Sequence, residues 1–287
     1  MTCRAFWFME WKTAKCTITL DRPLVMGILN VTPDSFSDGG RFELFDAAIK
    51  RVEEMIAEGV DIIDVGGEST RPGSESVDPS VEVDRTLPVI DEITRRFDIP
   101  VSIDTTKWAV AQMAIQHGGA EIINDISGLR WDARLADVAA KTGAGLVLMH
   151  SRGAFETMHS LPPVDDILSE VSSGLADSIA LAKKWGVDDS QIAVDVGIGF
   201  GKTQEQNLEL LAKLDNIVSE FENYPMMVGT SRKSFIGKLL GEAEPENRLA
   251  GSLATALVAL RNGAKILRVH DVRETVAAVK VFTAAQI

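Results

Sequence analysis

Short apolar segments alternate with longer amphipathic segments along almost the whole chain, and no other sequence feature restricts the fold as strongly. The apolar segments have the length of buried strands, and the amphipathic ones repeat apolar residues at the three- and four-residue spacing of one helix face. Strands are predicted at 25–29, 62–65, 101–103, 121–123, 145–149, 192–195, 226–229 and 266–269.

The segments between the strands predict helices. They lie near 45–56, where Gly59 is suitable as the C-cap, and near 80–97, 107–117, 133–142, 164–186, 205–222, 247–262 and 272–285. Eight strands that are each followed by a helix form a parallel sheet, which at this number closes. The sequence therefore predicts the α/β class and a (β/α)8 TIM barrel. The alternative is a doubly wound open sheet.

We expect one domain over residues 1–287, because no linker, repeat or low-complexity segment divides the chain. Its length suits one such barrel, which typically needs roughly 250 residues. Residues 1–23 are predicted to be an N-terminal extension, in which Thr17–Leu20 contributes to a hairpin across the lower end of the barrel.

Charge and cysteine content restrict the partners and the compartment. The formal net charge is −13, which disfavours nucleic acid and anionic membranes as partners. No apolar segment reaches the length of a membrane span, and the two cysteines, Cys3 and Cys16, form no disulfide framework. We expect a cytoplasmic protein in which any anionic ligand is held by a local cluster of cationic side chains.

Polar residues follow every predicted strand, at the barrel end where enzymes of this fold carry their active sites. One group consists of acceptors, amides and a lysine, and it suits a flat heterocycle with an amino-pyrimidinone edge: Asp104, Asn124, Asp195 and Lys233. The other group suits an oxyanion: Asn30, Thr70, Arg71, Arg268 and His270. Arg268 lies within an apolar strand, where an unpaired charge is costly, so we expect it to have a ligand or a buried partner.

Two long segments carry a family resemblance. MGILNVTPDSFSDGG at 26–40 and IDVGGESTRPG at 63–73 resemble the two signature segments of dihydropteroate synthases. Shorter matches follow in the family's order: SIDT at 102–105, INDI at 123–126, GIGFGK at 197–202, SRKS at 231–234, GSLA at 251–254 and RVHDV at 268–272. The resemblance covers roughly residues 24 to 285.

The resemblance implies a pterin site, a pyrophosphate site and a 4-aminobenzoate site. The implied pterin residues are Asp64, Asp104, Asn124, Met149, Asp195, Gly229 and Lys233. Pyrophosphate is expected at Asn30, Thr70, Arg71, Arg268 and His270, with Mg²⁺ nearest to Asn30. Phe36, Thr70, Pro72, Phe200, Lys233 and Ser234 are expected to bind 4-aminobenzoate and the sulfonamides that mimic it.

The resemblance also implies a mechanism and an assembly. The family joins a pterin pyrophosphate to 4-aminobenzoate in folate synthesis, by a displacement in which the leaving group departs first. The catalytic residues would be Asp104, Asp195, Lys233, Arg268 and His270. A homodimer is expected. Leu253, Ala256, Leu257 and Leu260 are suitable either for its interface or for the core.

Three positions depart from the family pattern. Val196 and Trp108 stand where proline is common, and Arg152 follows His150 in a segment that is often more apolar. We expect Arg152 to be a surface charge or to touch the mouth of the pterin site. None of the three deletes an expected catalytic side chain, so we expect an active enzyme.

Three other functions remain as alternatives. A folate-binding methyltransferase on the same barrel would not need the cationic cluster for pyrophosphate. A non-catalytic paralogue would have lost ligand residues, whereas here all of them are present. A sulfonamide-refusing synthase would have altered loops around the aminobenzoate site, whereas residues 30–40 and 231–235 look ordinary.

Overall fold

The computed structural model of the chain describes residues 9–32, 41–69, 74, 76–155, 157–158 and 160–285. Its strands are β1 (Met9–Lys12), β2 (Thr17–Leu20), β3 (Leu24–Asn30), β4 (Ile62–Gly66), β5 (Val101–Asp104), β6 (Ile122–Asp125), β7 (Gly145–Met149), β8 (Ile192–Asp195), β9 (Met226–Val228) and β10 (Ile266–Val269). Strands β3 to β10 are parallel and close into a barrel in chain order, with β10 next to β3. The predicted barrel is confirmed.

Helices follow the barrel strands. They are α1 (Arg41–Glu58), α2 (Pro79–Arg96), α3 (Trp108–Gln116), α4 (Arg134–Thr142), α5 (Ile167–Lys184), α6 (Gln204–Ala212), α7 (Leu214–Glu220), α8 (Ser234–Leu239), α9 (Leu249–Arg261) and α10 (Val272–Ala285). Short 3-10 helices at Asp189–Gln191 and Pro245–Asn247 precede β8 and α9. Gly59 has a φ of +93°, as expected of a residue that ends α1.

Besides small shifts at the ends of other elements, the structure differs from the predicted elements in the following ways. Strand β6 starts one residue later than predicted, at Ile122. The carboxylate of Glu121, just before it, accepts from the Thr13 hydroxyl. The helix predicted over 205–222 is two helices, because Lys213 leaves the helical conformation (φ −115°, ψ 23°). Helix α8 was not predicted. It has only 6 residues, too few to show a helical period.

The N-terminal hairpin closes the lower end of the barrel, as predicted. Strands β1 and β2 pair antiparallel, and Trp11 is fully buried between them and the barrel. The Trp11 indole N–H donates to the Gln191 carbonyl at 2.8 Å, which satisfies the one polar group that the ring carries into the core. Packing against the barrel floor thus explains the aromatic side chain of Trp11.

The barrel interior begins with an apolar layer directly above the hairpin. Its members pack in one cluster with Trp11: Leu20, Leu24, Met26, Ile62, Ile122, Val147, Ala193, Met227 and Ile266. A second, larger cluster lies between the barrel and the surrounding helices. No helix in the described part of the chain is long and apolar enough to cross a bilayer.

Candidate active site at the carboxyl end of the barrel

A polar layer lies directly above the apolar one. Side chains two positions apart on a strand point to the same face, so the next inward residues can be read off the apolar layer. They are Ile28, Asp64, Asn124, Met149, Asp195, Gly229 and Arg268, and Asp104 follows buried Ser102 in the same way. Strand pairing aligns them, with Asp104 opposite Asn124 and Met149 opposite Asp195. The structure therefore brings the predicted pterin residues together.

Arg268 joins two carboxylates in the centre of this layer. Its Nε donates to Asp64 Oδ2 at 2.6 Å, and its Nη2 donates to Asp104 Oδ2 at 2.5 Å. Asp64 Oδ2 also accepts from Asn124 Nδ2 at 3.1 Å. The sequence predicted a buried partner or a ligand for Arg268. In this structure its partners are two of the carboxylates expected to bind the pterin.

Two buried oxygens of the layer have no hydrogen-bond partner among the described residues. They are Asp64 Oδ1 and Asn124 Oδ1, and the two side chains are 0% and 1% exposed. A buried acceptor without a donor is costly, so native proteins rarely keep one without a reason. A ligand that presents N–H groups would satisfy both oxygens.

Burial changes the charge behaviour of the carboxylates. It raises the pKa of Asp104 to about 7, although the Arg268 guanidinium acts in the opposite direction. It also raises the pKa of Asp195, against the attraction of Lys233. Burial acts to lower the pKa of Arg268, but Asp64 and Asp104 more than compensate and raise it. Arg268 therefore stays cationic beside the Asp104 carboxyl, whose pKa burial has raised.

Lys233 and Phe200 form the side of the site next to β8. The Lys233 Nζ donates to the Ile198 carbonyl and lies 4.5 Å from the centroid of the Phe200 ring, a cation–π contact. Burial lowers the pKa of Lys233 to about 8, with Asp195 opposing the shift. Ser234 is exposed at the first position of α8.

His270 lies at the outer edge of the site. Its Nδ1 and its backbone N–H are each 3.1 Å from the Ser231 hydroxyl. Arg51, on α1, donates from Nη2 to the His270 carbonyl at 3.3 Å. His270 and Arg51 line a groove of about 460 Å³ together with Ile28, Glu58, Arg232, Asp271, Arg273 and Glu274. The arginines of the groove are paired with its carboxylates, Arg51 and Arg273 with Glu58 and Arg232 with Asp271.

Asn30 is the residue expected nearest to Mg²⁺, and its amide oxygen lies beside Gly66. A Cβ placed on Gly66 would lie 3.6 Å from both Asn30 Oδ1 and Asp104 Oδ2, so these two atoms flank the same glycine. Among the described residues there is no cluster of three or more His, Cys, Asp or Glu side chains that could hold a metal. Mg²⁺ commonly takes only one or two protein oxygens beside water and substrate phosphates, and this donor set fits that pattern.

The remaining expected site residues divide into two groups. Met149 is 4% exposed within the polar layer, and a Cβ placed on Gly229 would lie 3.6 Å from the Cβ of Arg268. Both residues were predicted to bind the pterin, and both belong to the polar layer. Four expected residues lie outside the described part of the chain: Phe36, Thr70, Arg71 and Pro72.

Comparisons with known proteins agree with this geometry. The sequence profile described as pterin binding enzyme matches residues 26–270. The dihydropteroate synthase of Clostridium beijerinckii is 48% identical over 262 residues, which cover 91% of this chain and 93% of that protein. This chain belongs to the dihydropteroate synthase family.

Solved structures of the family superpose closely. Dihydropteroate synthase from Xanthomonas albilineans with 4-aminobenzoic acid matches with a TM-score of 0.90 at 41% identity, covering 97% of this chain and 98% of that one. The Yersinia pestis dihydropteroate synthase with a sulfonamide drug complex also gives 0.90, at 42% identity, covering 97% and 99%.

The departures from the family pattern leave the polar layer intact. Val196 is fully buried in the outer core cluster. The Trp108 ring packs under the Arg134 guanidinium at 4.8 Å. The Arg152 side chain is only 11% exposed, and its Nη1 donates to the Pro162 and Gly201 carbonyls at 2.9 Å. Arg152 therefore hydrogen-bonds to two backbone carbonyls and is not a free surface charge.

Sequence reasoning missed the residues that hold the site in place. Arg232 binds both oxygens of Asp271, at 3.1 and 2.5 Å, and so joins the loops after β9 and β10. Lys202 binds three backbone carbonyls beneath the loop that carries Phe200. No sequence signal marked either residue. Arg232 has a φ of +58°, which suits a tight turn between Ser231 and Lys233, but a backbone angle cannot be read from the sequence.

Proposed function

We propose that the chain catalyses the dihydropteroate synthase reaction. It joins 6-hydroxymethyl-7,8-dihydropterin pyrophosphate to 4-aminobenzoate and releases pyrophosphate. The observation that carries the proposal is the buried polar layer, in which Asp64 Oδ1 and Asn124 Oδ1 have no donor in the described structure. The amino-pyrimidinone edge of a pterin presents the N–H groups that these acceptors require.

Pterin binding would rearrange the ion pairs in the layer. Arg268 now donates to Asp64 and Asp104, and a ligand edge that donates to the same carboxylates competes with it. The released guanidinium is then free to pair with the pyrophosphate, for which its planar donor set is well suited. Arg268 would therefore pair with the carboxylates before the pterin binds and with the pyrophosphate afterwards.

The bond changes would follow a dissociative displacement. The bond between the pterin methylene carbon and the pyrophosphate oxygen breaks first, and its electron pair leaves with the pyrophosphate. Arg268 and His270 would stabilise the leaving charge, and Asp104 and Asp195 the positive methylene. The amine of 4-aminobenzoate then forms the new carbon–nitrogen bond and loses a proton. Mg²⁺, bound near Asn30, would neutralise part of the pyrophosphate charge.

The decisive experiment measures pyrophosphate release from the pterin substrate with Mg²⁺, in the presence and absence of 4-aminobenzoate. We expect release to depend on the aminobenzoate. It should fall by at least about a hundredfold in Asp104→Asn and Arg268→Ala, since each removes a buried charge that acts on the reacting atoms. Asp137→Asn, which alters an exposed ion pair on α4, is the matched control and should retain full activity.

The result against the proposal is equally clear. Folded wild-type protein that binds the pterin but releases no pyrophosphate would make the chain a non-catalytic member of the family. Binding of the pterin is measured separately by calorimetry, so a loss of turnover is not confused with a loss of the substrate.

The role of Mg²⁺ needs a readout other than turnover. We propose that Asn30 is its protein ligand, because its amide oxygen flanks Gly66 together with Asp104. Calorimetry of pyrophosphate binding should show tighter binding with Mg²⁺ than without it in wild type, and a smaller difference in Asn30→Ala. An unchanged difference in the variant would remove Asn30 from the metal site.

Sulfonamide sensitivity, dimerisation and a cytoplasmic location complete the proposal. Phe200 and Lys233 together offer a ring face and a cation to an aminobenzoate mimic, so sulfamethoxazole should compete with 4-aminobenzoate. An inhibition constant far above the Michaelis constant for 4-aminobenzoate would overturn this.

Exposed Leu239 at the end of α8, Leu240 directly after it and Val258 on α9 are consistent with a homodimer interface. Ala256 and Leu260, in contrast, face the core. Sedimentation equilibrium of wild type and Val258→Glu tests it. A wild-type monomer at micromolar concentration would reject the dimer.

A further inference from the structure

The loop after β8, residues 197–201, is held by an unusual set of cationic side chains; we name it the clamped loop. Lys202 Nζ donates to the Gly197 and Phe200 carbonyls at 2.8 and 3.1 Å. Lys233 Nζ donates to the Ile198 carbonyl, and Arg152 Nη1 donates to the Gly201 carbonyl at 2.9 Å. Four of the loop's carbonyls therefore accept from three cations.

Lys202 also ties the clamped loop to the neighbouring strand. Its third hydrogen bond goes to the His150 carbonyl at 3.2 Å, just after β7. An ammonium has three N–H donors, and here all three have a carbonyl acceptor. Burial lowers the pKa of Lys202 well below its usual value. The ring of carbonyls favours the protonated form nonetheless, because a neutral amine would turn its lone pair toward an oxygen.

The amide groups of the clamped loop are tied as well. The Gly197 N–H donates to Asp195 Oδ1 at 2.7 Å, and the Gly199 N–H donates to Asn207 Oδ1 at 2.6 Å. Gly197, Gly199 and Gly201 have φ values of +65°, +85° and +69°. A backbone that is left-handed at alternate positions has little intrinsic preference for this path, so its side-chain partners must hold it.

The clamped loop carries the contacts that the proposed function assigns to 4-aminobenzoate. It holds the Phe200 ring under the Lys233 ammonium, and its Ile198 carbonyl fixes the position of that ammonium. A Cβ on Gly201 would come within 2.6 Å of the Arg152 Cβ, so the Arg152 backbone and the loop are in direct contact. The loop cannot shift without moving both partners of the cation–π pair.

We propose that Lys202 and Arg152 are positioning residues for the second substrate. They touch neither the polar layer nor the reacting atoms, and they hold the clamped loop so that Phe200 and Lys233 receive the aminobenzoate ring. Arg152 is the more specific part of the inference, because it stands in a segment where this chain departs from the family pattern. The inference rests on the proposed function for its substrate.

The test compares Lys202→Met and Arg152→Met with wild type. Each keeps an apolar stem and removes the donors, and Lys213→Met, at an exposed lysine after α6, is the matched control. We expect the Michaelis constant for 4-aminobenzoate to rise by at least about tenfold in both variants, the change expected when a charge-assisted hydrogen bond is lost. Pterin affinity, measured by calorimetry, should stay within about twofold of wild type.

A second measurement does not require turnover. Hydrogen exchange followed by mass spectrometry should be faster in peptides covering 197–202 in both variants, and unchanged in Lys213→Met. If Lys202→Met does not fold, Arg152→Met alone decides, because it removes a single contact to the loop.

Two results would overturn the inference. One is unchanged exchange in the clamped loop together with an unchanged Michaelis constant. The other is an equal loss of pterin affinity and aminobenzoate affinity, which would indicate general damage to the site. If wild-type protein releases no pyrophosphate, the proposed function fails, while the exchange experiment still tests whether these cations hold the loop.

Discussion

His150 should make the protein sensitive to mild acid. Its ring is 7% exposed, and it packs so closely on α5 that a Cβ on Gly174 would lie 2.6 Å from the ring. Its Nδ1 has no hydrogen-bond partner among the described residues. Burial lowers the pKa of His150 to about 2, and the cations of Lys202, Arg130 and Arg152 contribute to the shift.

The sign and the size of the effect follow from linkage. The unfolded chain binds a proton at this histidine below about pH 6.5, whereas the folded chain stays neutral until about pH 2. Stability is therefore fully present above pH 6.5 and is lost as the pH falls, by about 1.4 kcal/mol per unit. From pH 8 to pH 5 the loss assigned to His150 is about 2 kcal/mol.

The perturbation is His150→Gln, which removes the titrating group and keeps a polar side chain of similar length. Urea unfolding at pH 8.0, 6.5 and 5.0 gives the free energy of unfolding of both proteins. The deficit of the variant at pH 8 should shrink by about 2 kcal/mol at pH 5. His117→Gln, at an exposed histidine after α3, is the control. A deficit for His150→Gln that is the same at all three pH values would refute the reasoning.

Three further predictions concern backbone, core and activity. Gly143 has a φ of +73° and no atom within 4 Å of an added Cβ, so Gly143→Ala should lower the free energy of unfolding by about 1 kcal/mol. In Gly197→Ala the added Cβ would lie 1.8 Å from a carbonyl oxygen, so the loss in urea unfolding should be about 3 kcal/mol or more. Equal costs would mean that the close contact is absent. Trp11→Ala should destabilise by about 3–5 kcal/mol, by loss of the hairpin's seal, and a change under about 1 kcal/mol would contradict it. The pH profile of kcat/KM for the pterin substrate should fall on the acid side near the Asp104 pKa of about 7 and on the alkaline side near the Lys233 pKa of about 8. In Lys233→Arg the alkaline fall should disappear, and its persistence would assign that limb to another group.

The positions of the site residues were predictable because the fold places them. Asp64, Asn124 and Asp195 are polar residues near the ends of apolar strands, and parallel strands in a barrel deliver such ends to one mouth. Because every second side chain of a strand points to the same face, these polar residues form the layer directly above the apolar one. Both arguments use only local sequence and the count of strands.

The partners of those residues were not predictable. Arg268 pairs with Asp64 and Asp104, which lie 204 and 164 positions away in the sequence. The amino-acid sequence shows only that a charge in an apolar strand needs a partner. Lys202 follows the clamped loop in sequence, but its acceptors are backbone carbonyls, which every residue carries. Such contacts depend on the path of the chain in space, and no side-chain pattern records that path.

Among the described residues, Trp11 and the apolar layer around Met26 close the lower end of the barrel. A ligand of the polar layer would therefore enter and leave at the carboxyl end. In a site with this shape, the deepest part would be occupied first. Under the proposed function, a pterin bound in the polar layer would have to arrive before 4-aminobenzoate binds near Phe200, and the product would release its pterin ring last. Substrate entry and product release at this opening, as well as the chemical step, would then limit the turnover rate.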